Sequence, residues 1–359
     1  MIMNDLLNKK ELSQWNEIMR HIKNVVICGH KRPDGDAIGS SLGFADYLRS
    51  QGKNVTVIMP NSCPDFFMWL PGATDVICYD RNTANALDFL KKADLICCLD
   101  FNNLKRIDAF GDAIEKTSAF KIMIDHHPYP EIKADIALSH PEMSSTSEMI
   151  FRLIWQLGGF DSLSQNGAIA IYCGMMTDTG AFTYNSNDPV IYLIISHLLT
   201  KGINKDKIYR NVYNNYSEGR IRMMGYILYE KLQFYPECSA AFFTLTSEEL
   251  TRFNYKRGDS EGFVNLPLSV KGIKLSISLR EDTEKHTISV SLRSVDNFPC
   301  NKMATEFFNG GGHLNAAGGE LICSMEEAVE QTLIALKKYK TFLNSGQEIQ
   351  ETSPFLAKS

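Results

Sequence analysis

The sequence predicts an α/β protein: an N-terminal domain with a mostly parallel sheet flanked by helices, a helical linker, and a smaller α/β C-terminal domain. Three observations predict it. Through the first half, short apolar runs alternate with amphipathic segments, the pattern of a parallel sheet covered on both faces. A long helical stretch without strand signals follows. Beyond it, apolar residues fall into period-two alternation. At about 150 residues per domain, a chain of 359 residues holds two domains and has room for a small third.

Taken in order, Val25–Gly29 is the first strand, and Ala37–Ser50 after it has helical spacing in Ile38, Leu42, Ala45 and Leu48. Val55–Met59, Leu95–Leu99 and Lys121–Ile124 are further apolar strands, each separated from the next by more helical sequence. Ser147–Leu157 and Asn166–Met176 read as helices, although the second is an apolar run short enough to resemble a strand. Pro189–Phe234 reads as near-continuous helix, with Tyr209, Tyr213 and Tyr216 at about one-turn spacing, a stripe expected to pack against a neighbouring domain. Ala240–Leu245, Ile273–Leu279 and Thr287–Arg293 are strands, and Glu326–Tyr339 is a closing helix. The expected division is 1–196 for the first domain, 197–236 for the linker, 237–345 for the second domain and 346–359 for a polar, loose tail.

Composition excludes several classes. Hydrophobic residues make up 44% and charged residues 22%, an ordinary globular balance. The net charge of −5 argues against long duplex nucleic acid, which is captured by a basic stripe, but not against short or single nucleotides. No apolar run reaches the roughly 18 residues of a membrane span, and Met1–Lys10 lacks a signal-peptide core, so no membrane association is expected. Nine cysteines without a CxxC pair read as reduced thiols in a cytoplasmic protein.

Chemistry is concentrated where the strands end. The first runs into His30-Lys-Arg-Pro-Asp34-Gly-Asp36, the run 95–99 into Asp100, and the run 121–124 into Asp125-His126-His127. The apolar segment Ala168–Met176 runs into Thr177-Asp178-Thr179-Gly180. In an open α/β sheet, groups at the carboxyl ends of strands converge on one crevice. An acid after a strand is by itself usually a turn or cap residue. Several acids gathered in one crevice, however, repel one another unless cations sit between them. The donors are oxygen-rich with imidazoles and no well-placed thiolate, which suits Mn²⁺, or Mg²⁺ or Co²⁺ as substitutes, over structural zinc. Two such ions sharing a carboxylate can carry a phosphoryl displacement without a protein nucleophile, and the chain has neither a G-x-S-x-G motif nor a convincing Cys–His arrangement.

His30-x-x-Pro-Asp34-x-Asp36, Asp100, Asp125-His126-His127 and Asp178-Thr-Gly resemble the four ordered motifs of the DHH phosphoesterase superfamily. Gly310-Gly311-Gly312-His313, continuing to Ala316-Ala317-Gly318-Gly319, resembles the substrate motif of the DHH-associated domain. The likeness spans about residues 24–340, and length and layout are similar to the group that combines oligoribonuclease and 3′-phosphoadenosine 5′-phosphate phosphatase activity. The resemblance implies that His30 and Asp34 hold one metal, that Asp36, His126 and Asp178 hold a second, and that Asp100 bridges them. It implies that His127 faces the phosphate, with Asp125 orienting an imidazole. Arg293, with Ser294 beside it at the end of a strand, matches a substrate arginine suited to bidentate phosphate contact. Gly310, Gly311 and Gly312 would let backbone amides approach an anion before His313, a plain tight turn being the competing reading. The roles of Arg106 and Arg280 stay open.

The expected activity is hydrolysis of short oligonucleotides or linear dinucleotides to mononucleotides, or removal of the 3′-phosphate of adenosine 3′,5′-bisphosphate. The alternatives are a nucleotide-binding sensor without catalysis, and a polyphosphatase or pyrophosphatase, for which Lys31, Arg32, Arg293 and Lys302 are a modest supply of cations. The expected partners are short oligonucleotides or small nucleotides, and a homodimer is left open.

Overall fold

The computed structural model describes residues 3–256, 258–282 and 284–345; the tail expected at 346–359 lies outside the described residues. The chain divides into two compact units between Asn215 and Tyr216.

In the first unit, α1 (Lys9–His21) leads into β1 (Asn24–Cys28), α2 (Gly35–Ser50), β2 (Asn54–Met59) and β3 (Ile77–Cys78). Then come α3 (Thr83–Lys92), β4 (Leu95–Leu99), α4 (Asp108–Glu115), β5 (Phe120–Asp125), β6 (Ile136–Ser139), α5 (Thr146–Gln156) and α6 (Gln165–Asp178). The six strands form one parallel sheet in the order β3-β2-β1-β4-β5-β6. The strands' apolar runs are explained by burial on both faces. Val25, Ile27, Cys97, Leu99, Ile122 and Ile124 join the core with α2, α5 and α6. Val26, Cys28, Ile96, Cys98 and Met123 face the opposite core with α3 and α4. The strand order reverses between β1 and β4, where such sheets open a crevice at their carboxyl ends.

Helix α2 is buried along most of its length, which the small residues on it allow. A Cβ on Gly39 would stand 2.5 Å from the Ala170 carbonyl oxygen, so α2 and α6 can approach this closely only without a side chain there. That approach brings the start of α2 beside the end of α6.

The expected continuous helix over Pro189–Phe234 is instead α7 (Pro189–Thr200), α8 (Lys205–Tyr213) and α9 (Glu218–Tyr226), with a π-turn and β7 (Gln233–Tyr235) behind them. Gly202, at φ +77°, follows the end of α7, and Asn204 and Ser217 then cap new helices. Ile191, Ile194, Leu198 and Ile208 belong to the core of the first unit, whereas Met223 and Ile227 pack with Phe243, Leu245 and Phe263 in the second. The tyrosine stripe is likewise divided. The Tyr213 hydroxyl donates to the Met176 carbonyl at 3.3 Å, and Tyr216 lies under the Arg220 guanidinium at 4.2 Å.

The second unit adds β8 (Ala240–Leu245), α10 (Ser247–Arg252), β9 (Leu275–Asp282), β10 (Thr287–Ser294), α11 (Cys300–Phe307), β11 (Gly311–Gly312), β12 (Ala316–Leu321) and α12 (Met325–Ser345). Its mixed sheet runs β11-β12-β10-β9-β8-β7, with only the β8–β9 pair parallel. The glycine-rich stretch is therefore part of a strand pair rather than a bare turn.

Candidate metal centre

His30 follows β1 by two residues, and its loop is pinned from both sides. The Arg32 amide donates to Asn61 at 3.0 Å, and the Lys31 amide to the Arg106 carbonyl at 3.3 Å. Lys31 is ion-paired with Asp108. The ring Nδ1–H of His30 donates to the Lys31 carbonyl at 2.8 Å, which leaves Nε2 as the basic atom. That nitrogen faces Asp34 Oδ2 at 3.6 Å and Asp100 Oδ2 at 3.4 Å. Asp34 is the N-cap of α2, spending Oδ1 on the amides of Asp36 and Ala37 at 3.0 Å each and leaving Oδ2 on the His30 side.

Asp100 directly follows β4 in the left-handed region, at φ +65°, and is buried. A non-glycine residue there is strained backbone of the kind that clusters at functional sites. Its two oxygens face opposite ways. Oδ2 looks to His30, and Oδ1 stands 3.6 Å from His126 Nε2 and 3.7 Å from His127 Nδ1. His126 donates from Nδ1 to the Met143 carbonyl at 3.3 Å, which again leaves Nε2 as the basic atom, 3.4 Å from Asp178 Oδ2. Asp178 is the last residue of α6. Asp36, in the first turn of α2, accepts the Thr146 amide at 2.7 Å and the Ser147 amide at 2.8 Å from the start of α5. His127 donates from Nδ1 to Asp125 Oδ1 at 2.7 Å, and Asp125 is fully buried with Oδ2 unpartnered.

One donor atom each from His30, Asp34 and Asp100 lies within 4.8 Å of the others, and the same holds for Asp36, His126 and Asp178. A third such grouping is Asp100, His126 and His127. Crowding of like charge perturbs these groups strongly. Burial, with Asp100 and Asp178 nearby, pushes Asp36 well above the usual carboxylate range. Burial and the charges of Asp100 and Asp34 push Asp178 up to about 7, against the pull of His126 and His127. Burial opposes charge on His126, yet Asp100, Asp178 and Asp36 raise it to about 9. His30 is raised in the same way, against its burial, by Asp100 and Asp34. Asp100, surrounded by imidazoles, is held down at about 2 despite its burial. Gathered carboxylate oxygens and imidazole nitrogens of this kind could hold a metal ion.

Sequence reasoning missed Thr146 and Ser147. Their contribution comes from amides at a helix start, and the only signal was the Ser144-Ser145-Thr146-Ser147 run ahead of α5.

In the second unit, Arg293 lies on β10 opposite Ala316 of β12 and Ser276 of β9. Its Nη1 donates to the Leu292 carbonyl at 2.8 Å. Ser294 is buried, donating from Oγ to the Phe298 carbonyl at 2.8 Å and accepting from Asn315 at 2.9 Å. A Cβ on Gly310 would meet the Gly318 carbonyl oxygen at 1.8 Å, and Gly312 takes φ +143° against Ala316. Gly311 is exposed with nothing near its missing Cβ, and His313 is exposed, its amide donating to the Ala316 carbonyl at 2.8 Å. Arg280 stands 5.6 Å over the Tyr255 ring, and Arg106 is exposed.

The model of the DHH family N-terminal domain matches residues 24–175, and that of the DHHA1 domain matches residues 240–340. A crystal structure of an exopolyphosphatase-related protein from Bacteroides fragilis is 54% identical, with a TM-score of 0.91, covering 94% of this chain and 99% of that one. The chain belongs to the DHH family. The DHH relatives include the bifunctional oligoribonuclease and PAP phosphatase NrnA of Thermus thermophilus, 27% identical over 330 residues, 90% of this chain and 93% of that protein. NrnA of Bacillus subtilis is 25% identical over 87% of this chain and 94% of its own length. These relatives make the chain a DHH-family phosphoesterase. Among the described residues, no helix is long and apolar enough to cross a membrane.

Proposed function

We propose that this DHH protein is a two-metal phosphoesterase acting on short oligonucleotides, linear dinucleotides or adenosine 3′,5′-bisphosphate in the cytoplasm. The observation that carries the reading is Asp100, whose two oxygens each face a separate donor set, His30 with Asp34 on one side and His126 on the other. His30 and Asp34 would hold one ion and Asp36, His126 and Asp178 the second, with Asp100 between them, Mn²⁺ being the ion best suited. Ions held there would supply the charge that ionises water near neutral pH and offsets charge on the phosphoryl oxygens.

The chain's own groups do the rest. Asp125, bonded to His127 Nδ1 at 2.7 Å, fixes that ring's tautomer and orientation, so that Nε2 can serve the leaving oxygen as a general acid. Arg293 and the backbone at Gly310, Gly311 and Gly312, with His313, grip the nucleotide. Ser294 supports them by tying Phe298 and Asn315 to the end of β10. The relatives named oligoribonuclease and PAP phosphatase support this substrate class.

Inorganic polyphosphate is a second reading, favoured by the description of the 54% identical Bacteroides fragilis protein as exopolyphosphatase-related. The test is a panel of RNA and DNA dinucleotides, linear di-adenylate, adenosine bisphosphate, pyrophosphate and polyphosphate, each incubated with Mn²⁺-loaded protein and separated by chromatography. Mononucleotide or adenosine monophosphate release is the expected result. Preference for polyphosphate would replace the nucleotide reading, and turnover of none of the panel would leave a nucleotide-binding sensor.

A further inference from the structure

Thr146 is completely buried at the start of α5. Its hydroxyl donates to Asp100 Oδ1 at 3.0 Å while its amide donates to Asp36 Oδ2 at 2.7 Å. The imidazole nitrogens around Asp100 stand farther off, at 3.4 to 3.7 Å. The hydroxyl is therefore the close donor that fixes the rotation of the Asp100 carboxylate, on a backbone already strained at φ +65°.

The turn that presents Thr146 is itself anchored. Ser145 caps α5 by accepting the Glu148 amide at 3.0 Å. The buried Glu148 carboxylate accepts the Ser144 amide at 2.9 Å and the Ser144 hydroxyl at 2.6 Å. Its other oxygen takes the Arg152 Nε–H at 2.8 Å, and Arg152 reaches Asp188, the N-cap of α7, at 3.3 Å. A buried charge network with its polar atoms satisfied is rigid, so the threonine is held from behind by groups outside the metal cluster.

We propose that Thr146 is a positioning residue for the bridging carboxylate, its hydroxyl setting the angle at which Asp100 offers one oxygen to each donor set; this rests on the two-metal reading above. Outer donors of this kind typically change metal affinity or activity by about 10- to 100-fold.

The test uses the full chain as wild type, T146V and T146S. Valine keeps the shape and the amide to Asp36 but removes the hydroxyl, and serine restores the hydroxyl. Mn²⁺ titration calorimetry counts ions and affinities, and electron paramagnetic resonance reads the magnetic coupling between two Mn²⁺ ions. The expected result is two coupled ions in wild type and about 10-fold weaker second-ion binding in T146V, with the coupling altered. In T146V, kcat on a dinucleotide falls by about 10- to 100-fold, KM moves little, and T146S recovers most of both losses. Thermal melting of the metal-free proteins separates this from unfolding. Two tightly bound, unaltered coupled ions in T146V would overturn the positioning role while leaving the two-metal reading intact. Equal losses in T146S and T146V would also overturn it, pointing to packing. A wild type that binds fewer than two ions would overturn the two-metal reading itself.

Discussion

The carboxyl end of the first sheet and the Arg293 end of the second sheet use polar residues in opposite ways. Around Asp100, the acids and imidazoles are mostly buried and, apart from the Asp125–His127 pair at 2.7 Å, lean on one another at 3.4 to 3.7 Å, too far for good hydrogen bonds. Their hydrogen bonds go outward instead, to the amides of Ala37, Thr146 and Ser147 and to the carbonyls of Lys31 and Met143. Atoms facing inward are left for something else. Around Arg293, polar atoms are largely spent on the fold, as in Ser294, and His313 lies at the surface. A reaction centre needs charge concentrated against its own repulsion, whereas a gripping surface needs a few contacts in reach of solvent. Removing a group should cost far more at the first end than at the second.

Asp100→Ala tests the larger side of that contrast. It removes the carboxylate that faces both donor sets, so turnover of a dinucleotide should fall by at least about 10³-fold. Metal analysis should find fewer than two ions per chain. Undiminished hydrolysis by this variant would break the comparison at its stronger end.

His126 and His127 sharpen it within the cluster. His126 turns Nε2 toward Asp100 and Asp178, whereas His127 spends Nδ1 on Asp125. His126→Ala should therefore lose metal together with activity. His127→Ala should keep its metal and slow the chemical step by about 10²-fold or more, the range for a lost general acid. Equal metal loss in both would make His127 a ligand, the role its grouping with Asp100 and His126 also permits.

How much of this was legible in the sequence follows from which residues are buried on both faces. β1 and β4 were readable because a strand covered on both sides is a continuous apolar run, and β2 and β5 through their buried second halves. β3 is two residues long and β6 four, too short to carry a pattern. Pro189–Phe234 has the spacing of a near-continuous helix because its apolar pattern survives the breaks at Gly202 and Asn214, which only capping residues mark. The acids and histidines of the cluster were legible because they follow elements whose ends the fold must bring together. Thr146 was not, since its use of an amide and a hydroxyl at a helix start is shared by many caps that bind nothing. The glycines of 310–312 were legible as special backbone, but not which of them serve the hairpin and which face open space.

Arg293→Ala tests the smaller side. A charge-assisted contact to phosphate is worth about 1.5–3 kcal/mol, roughly 10- to 150-fold, and kcat/KM for a dinucleotide should fall by that factor. A small diester such as bis-p-nitrophenyl phosphate lacks the distal nucleotide, so its slower hydrolysis should change little. Equal losses on both would place Arg293 in the chemistry and erase the contrast between the two ends.

Gly311→Ala gives the smallest effect and the finest distinction. Its neighbours are fixed by the fold: a methyl on Gly310 would collide with the Gly318 carbonyl, and Gly312 holds φ +143° with Ala316 2.5 Å from its missing Cβ. Substituting either should lower the melting temperature, whatever it binds, because backbone atoms cannot move aside. Gly311 has open space where its side chain would be, and alanine there should leave melting unchanged. A methyl that only keeps a nucleotide from the backbone should weaken one contact, about 1 kcal/mol or roughly fivefold in KM for a dinucleotide. The small diester should be unaffected. Unchanged kinetics on both substrates, with melting preserved, would reduce the glycine run to hairpin packing and leave Arg293 and His313 to hold the nucleotide.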